Sequence, residues 1–228
     1  MRHRIFIAIN LPEDIKKKLA DFQFKWPELP ARWTKPENLH ITLAFLGYLT
    51  DEELPEVIKI TKEVAQRHQP FSINLNKILY GPPKMPYSET KSLTGRLDKV
   101  ENRPPRMIWV EGACPELVEG ACPEPACREL VEPVEGKKVD KLSNLKNDLE
   151  NALSGSVRYQ KENRPFSPHL TLGRIREWEF RQIDPEERPE VETDISLSFE
   201  VNSIEVMESQ LKRGGPDYTV LESAPLVA

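Results

Sequence analysis

Two short stretches share one pattern: NLHITLAFLG at residues 38–47 and PHLTLGRI at residues 168–175. Both are apolar enough for buried strands, yet each carries a histidine and a threonine two positions apart. Successive side chains on a strand point to opposite faces. His40 and Thr42 therefore share one face, and Ile41 and Leu43 the other. In the second stretch, His169 and Thr171 oppose Leu170 and Leu172. Each strand has an oily back that must reach a core. Its front carries an imidazole and a hydroxyl about 7 Å apart, two strand steps. A front of that kind looks into a cleft. The chain has four histidines, and His3 and His68 lack the pattern. A single motif is well explained by a core histidine satisfied by a hydroxyl. With Thr at about one position in twenty, a matched pair is not.

The rest of the chain reads as a mixture of strands and helices. Ile5, Ile7 and Ile9 alternate with Phe6 and Ala8 as in a buried strand. Pro12-Glu13-Asp14 opens a helix with Ile15, Leu19, Phe22 and Trp26 at helical spacing, and Pro27 stops it. A strand over 38–46 is closed by Gly47. Thr50 to Glu53 forms a capping box before a helix with the stripe Leu54, Val57, Ile58, Thr61, Val64 and Ala65. Residues 71–81 alternate as a strand, and Met107–Val110 is another. A helix runs over about 138–153 with Leu142, Leu145, Leu149 and Leu153 in register. Residues 196–209 contain a strand, 214–216 are a turn, and DYTVLES closes the fold as a strand. No regular strand–helix alternation and no glycine-rich phosphate loop appear, so the expected class is α+β.

At 228 residues, with 30% charged and 38% hydrophobic residues, the chain suits one globular domain. No apolar stretch approaches membrane-span length. The apolar start, Ile5 to Leu11, runs into Glu13-Asp14 without a cleavage site, so a cytoplasmic location is expected. Residues 112–136 repeat ACPE and ELVE and are rich in Pro and Glu. They read as an inserted low-complexity surface loop. With six Glu and one Arg, this insert accounts for the whole formal charge of −5, and the remaining chain is balanced. All three cysteines, Cys114, Cys122 and Cys127, lie within it, at a spacing that suits neither a disulfide framework nor zinc.

Two imidazoles and two hydroxyls suit displacement at phosphorus. One imidazole takes a proton from the attacking water while the other gives one to the departing oxygen. Threonine hydroxyls can donate to the non-bridging oxygens where charge grows. No carboxylate or third histidine stands beside either motif as a metal ligand would, so metal-free chemistry without a cofactor is expected. No G-x-S-x-G elbow is present for a serine hydrolase. By alternation, Arg174, Arg176 and Phe45 fall on the faces opposite the histidines. Lys212 and Arg213 sit in the turn at the expected cleft edge, where they could steer phosphate. Trp33 and Tyr218 are of a kind that stacks on bases.

The chain resembles the 2H phosphoesterase superfamily, and within it the RNA 2′,3′-cyclic phosphodiesterase family, long called 2′-5′ RNA ligases. The resemblance lies in RIFIAINLP, NLHITLAFLG, PFSPHLTLGRI and MESQLKRGGPDYTVLES, in that order over nearly the whole chain. It implies a single bilobal domain over residues 1–228, with two antiparallel sheets and outer helices around a central cleft, related by a pseudo-twofold axis. It implies hydrolysis of RNA 2′,3′-cyclic phosphate ends to 2′-phosphomonoesters, with His40 as proton donor, His169 as proton acceptor, and Thr42 and Thr171 holding the phosphate. Arg174, Lys212 and Arg213 are further candidates for substrate contact. The expected partners are RNA with cyclic phosphate ends or small cyclic nucleotides, met by a monomer. ATP-independent ligation at the same site and a nucleotide- or RNA-binding protein with little activity are the alternatives.

Overall fold

The computed structural model describes residues 1–82, 104–113, 141–157, 159, 161, 166–213 and 215–227. The repeat from 114 onward, its cysteines, nearly all of the unassigned stretch before Met107 and the start of the third expected helix lie outside these residues. The elements are β1 (Arg2–Asn10), α1 (Glu13–Asp21), β2 (Ala31–Trp33), β3 (His40–Thr50), α2 (Leu54–Ala65), β4 (Phe71–Gly81), β5 (Met107–Ala113), α3 (Lys141–Ser156), β6 (His169–Ile175), α4 (Glu177–Gln182), β7 (Thr193–Val201), β8 (Ser203–Lys212) and β9 (Gly215–Pro225). Among the described residues no helix is long and apolar enough to cross a membrane.

Among the described residues the strands run in the order β7-β4-β5-β6-β3-β1-β8-β9, with β2 on the end of β6, and all neighbours are antiparallel. Each half holds four of the long strands. The two sheets expected from the resemblance meet edge to edge, and β3 and β6 share one residue pair, Ile41↔Leu170. That pair is the middle residue of both His-x-Thr motifs. An antiparallel pair has a local twofold axis at its centre, so the two motifs are related by that axis. Carried one residue either way, that register puts the four polar residues of the two motifs on one face.

The core lies on the oily side. Ile5, Ile7, Ile41, Leu43, Leu170 and Leu172 are at most 2% exposed. α2 packs on β8 and β9, and α3 on α2 and β3. All four leucines of the α3 stripe are fully buried. The capping box forms: Thr50 N–H donates to Glu53 Oε2 at 2.8 Å, and Glu53 N–H to Thr50 Oγ1 at 3.3 Å. α1 buries Ile15 and Leu19, and its stripe continues into a short 3₁₀ turn, Phe22–Lys25, before Pro27. Phe6, Ala8 and Met207 make a second, smaller apolar cluster with Tyr218.

Several expectations are corrected. Gly47 does not end β3; it sits at φ 76° where the strand bulges, and pairing continues to Thr50. The run 196–209 holds two strands broken at Asn202, not one. β2 and α4 were not expected; both are short, and periodicity over three to six residues carries little signal. Gly112 and Ala113 belong to β5, where Gly112 pairs with Leu75, so the inserted repeat does not include them.

The most consequential correction concerns two matched bulges. On β1, Ile7 and Ala8 oppose Ala44 and Thr42, which leaves Leu43 as an extra residue on β3. On β5, Trp109 and Ile108 oppose Thr171 and Gly173, which leaves Leu172 extra on β6. Each bulge falls one residue after the motif threonine and flips the alternation beyond it. Phe45 and Arg174, at the same distance past their histidines, therefore return to the histidine face.

Ile41→Ala removes buried apolar volume at the residue pair that joins β3 to β6. It should lower unfolding stability by about 2–5 kcal/mol in a urea titration. Turnover of the still-folded variant should also fall, because the two motifs are no longer held in register.

Candidate active site

His40 opens β3 and His169 opens β6, and the two imidazoles are held in the same way. His40 Nδ1 lies 2.8 Å from the carbonyl oxygen of Asn38. His169 Nδ1 lies 2.8 Å from that of Ser167. In each case the acceptor is two residues upstream. A carbonyl oxygen can only accept, so Nδ1 carries the hydrogen and Nε2 is left for chemistry. Asn38 is itself tied down, its side-chain amide donating to the Pro216 carbonyl at 2.9 Å.

His40, Thr42, His169 and Thr171 line one cavity of about 460 Å³. All four residues expected to act together are thus brought together. Arg174 joins them, against its expected orientation, because of the bulge at Leu172. Phe45 likewise lines the cavity, 46% exposed, with the Arg4 guanidinium 4.9 Å above its ring. Trp33 and Tyr218 are also in the walls. Lys212 and Arg213 are not; Lys212 Nζ is 2.5 Å from Asp217 Oδ2, so it neutralises a neighbouring carboxylate. Arg176 pairs with Glu179 at 3.1 Å, away from the cavity.

Among the described residues the walls carry Arg4, Arg32, Lys35 and Arg174 and no Asp or Glu. A chain with a formal charge of −5 therefore presents a cationic pocket. Such a pocket concentrates anions.

The two imidazoles differ in their surroundings. His40 meets Tyr218 edge-on at 5.1 Å and Phe6 at 4.9 Å. Burial pushes its pKa below the ordinary imidazole value. The Asn38 carbonyl opposes that push, while the positive charges of Lys16 and His169 add to it. His169 is stacked on Trp109, with ring centroids 3.7 Å apart and planes 19° apart. Trp109 is itself buried and finds its seat at Gly81, where a Cβ would lie 2.2 Å from the indole.

Sequence reasoning missed Asn38, Trp109, Arg4 and Arg32. The lone Trp in MIWV on an expected strand was the available signal for one of them, but stacking across strands is a tertiary fact. Among the described residues no three His, Cys, Asp or Glu side chains gather where they could hold a metal ion.

A sheet built of two halves, each giving one His-x-Thr pair to a cationic cavity, defines the two-histidine class of phosphoesterases. Residues 9–88 and 131–218 match the family model described as LigT-like phosphoesterase, and the chain belongs to that family. A Methanocaldococcus jannaschii protein named RNA 2′,3′-cyclic phosphodiesterase is 29% identical over 96% of this chain and 98% of its own. A Thermus thermophilus protein of the same name is 28% identical over 98% of this chain and 90% of its own. A crystal structure of a Thermus thermophilus protein superposes with a TM-score of 0.68, at 24% identity over 98% of this chain and 97% of that one. E. coli LigT in complex with 3′-AMP gives 0.62 at 22% identity, over the whole of both chains. These two structures establish the shared fold.

Replacing Trp109 tests the stack behind His169. Trp109→Leu should lower kcat by about tenfold or more with a smaller change in KM, since a misplaced catalytic group loses rate steeply. Trp109→Phe keeps an aromatic face and should retain most of kcat. Steady-state kinetics on the pair checks this.

Proposed function

We propose that the protein hydrolyses the 2′,3′-cyclic phosphate at an RNA 3′ end to a 2′-phosphomonoester, through acid–base catalysis by His40 and His169. The observation that carries this reading is that both imidazoles bind an upstream carbonyl through Nδ1 and line one cationic cavity. The relatives' name points to the same reaction. In this reading the chain acts as one bilobal domain and as a monomer.

In this reading the cyclic phosphate sits between the motifs. His169 Nε2 takes a proton from water as the water oxygen bonds to phosphorus. The bond from phosphorus to O3′ breaks, and His40 Nε2–H protonates O3′ as it leaves. Thr42 and Thr171 donate hydrogen bonds to the non-bridging oxygens where charge grows. The frame being pseudo-symmetric, the direction of proton traffic rests on the family resemblance. The local environment is compatible with it. His40 loses positive charge in the transition state, and burial favours its neutral form. His169 gains positive charge, and the face of Trp109 favours a cation. Ligation differs only in the nucleophile, an RNA 5′-hydroxyl replacing water, so the same residues serve it.

His40→Ala and His169→Ala should each lower turnover at least about 100-fold. Turnover near wild type in either variant removes that residue from the mechanism. Phosphorus NMR of the product from a 2′,3′-cyclic nucleotide should show the 2′ isomer, with activity surviving chelation by EDTA. A 3′ product, or loss of activity with EDTA that one metal restores, contradicts the proposal.

The pH dependence follows from burial of His40. A donor must start protonated, and the free enzyme holds His40 protonated only below a pKa lying under 6.5. The kcat/KM profile should therefore fall on its alkaline side from below that value. The bound phosphodiester anion favours imidazolium, so the corresponding limb of kcat should lie at higher pH. Coincident limbs would show that substrate charge does not reach His40.

A further inference from the structure

Resting on the cyclic-phosphate reading above, we propose that Arg32 and Arg174 form a second phosphate subsite, one that takes the internucleotide phosphodiester preceding the reacting end. β2 pairs with β6 so that Arg32 and Arg174 are directly opposed. Directly opposed residues of an antiparallel pair share a face, and both of these line the cavity. Like charges in that position are destabilising. No carboxylate lines the cavity, and neither arginine has a carboxylate partner among the described residues. An unrelieved pair of guanidinium groups facing one cavity is a seat for an anion, and their planar forks match phosphate oxygens.

Two features leave the pair open to an anion. Gly215, at φ 123°, lies against Arg32; a Cβ there would stand 2.5 Å from a guanidinium nitrogen. The bare glycine leaves the guanidinium its place. The nearby Asp217, two residues on, is held by Lys212. The placement also fits a strand of RNA. With Leu172 bulged out, Arg174 stands about two strand steps, or roughly 7 Å, beyond Thr171. That is comparable to the spacing of successive phosphates along a single strand. The phosphate at the motifs and the one before it can therefore be held together, which a mononucleotide cannot exploit.

Calorimetric binding needs no turnover and so separates this proposal from the chemistry. The probes are a dinucleotide ending in a 2′-phosphate, with two phosphates, and a nucleoside 2′-monophosphate, with one. Wild type should bind the dinucleotide about tenfold or more tightly than the mononucleotide. Arg32→Ala should lose most of that advantage, and Arg32→Lys should keep part of it. The slope of log affinity against log salt for the dinucleotide should shrink by about 0.7 in Arg32→Ala, as for one lost phosphate contact on a single strand. Arg32→Ala should also melt no lower than wild type without ligand, because it relieves the opposed charges. An unchanged dinucleotide advantage in Arg32→Ala overturns the subsite. So does an equal loss on both probes, which would place Arg32 at the reacting phosphate. Failure of the cyclic-phosphate reading would appear separately, as wild type that binds both probes and turns over no cyclic nucleotide.

Discussion

The pairing of Ile41 with Leu170 is the constraint on which the site depends. Both side chains are buried to within 1% of completely, so the join between the two halves is anchored in the core. Strand register has a period of two, and a slip by one residue would turn both His-x-Thr fronts inward. Burial of Ile41, Leu43, Leu170 and Leu172 makes that slip prohibitively costly, at about 1.5–3 kcal/mol for each large apolar side chain moved to solvent. The apolar residues between the polar ones thus hold the active face outward. Catalytic geometry and core packing are set by the same few residues.

On this symmetric frame the surroundings of the two histidines are asymmetric. At the position five residues past each histidine, one half carries Phe45 and the other Arg174. One histidine meets the edge of Tyr218, and the other lies on the face of Trp109. An acid and a base must differ in their preference for the proton, and two equivalent imidazoles would not. The differences come from neighbours, not from the motifs, which are nearly identical in sequence. A duplicated scaffold supplies two imidazoles, and the unduplicated contacts make their surroundings unequal.

The parts of this arrangement legible in the sequence are those governed by local periodicity. The alternation of 38–43 and 168–172 showed which residues face the cleft, and the leucine stripe of α3 and the Thr50 capping box formed as their spacing indicated. The misreading of Phe45 and Arg174 has one cause. A bulge adds a residue without altering composition, so alternation counted past Leu43 or Leu172 gives the wrong face. Gly173, directly after the second bulge, was the available hint, since a Cβ there would stand 2.9 Å from Trp33. Lys212 was placed at the cleft edge on the turn beside it, but its charge is spent on Asp217. Pairings between residues far apart in sequence, such as Trp109 with Gly81 and His169, leave no periodic trace.

The approach to the second motif is secured differently from the first. Asn38 is anchored by its own side chain, whereas Ser167, which holds His169, follows a stretch without regular structure at Tyr159, Lys161 and Phe166. Those flanking residues are tied to α3. Glu150, 1% exposed, accepts from the Tyr159 hydroxyl at 2.7 Å and pairs with Lys146 at 2.5 Å, while Lys161 stands at 3.8 Å. Lys146 Nζ in turn lies 5.1 Å from the centre of the Phe166 ring. A buried ion pair contributes little net stability because desolvation opposes the Coulomb attraction, but removing one partner leaves a buried charge at a cost of about 3–5 kcal/mol. Its worth here is directional. A greasy contact would hold Phe166 against α3 over a range of positions, whereas a carboxylate with two hydrogen-bonded partners and an ammonium over a ring admits few. Ser167, whose carbonyl holds His169, follows directly after Phe166, so this polar cluster on α3 anchors the residue next to that carbonyl.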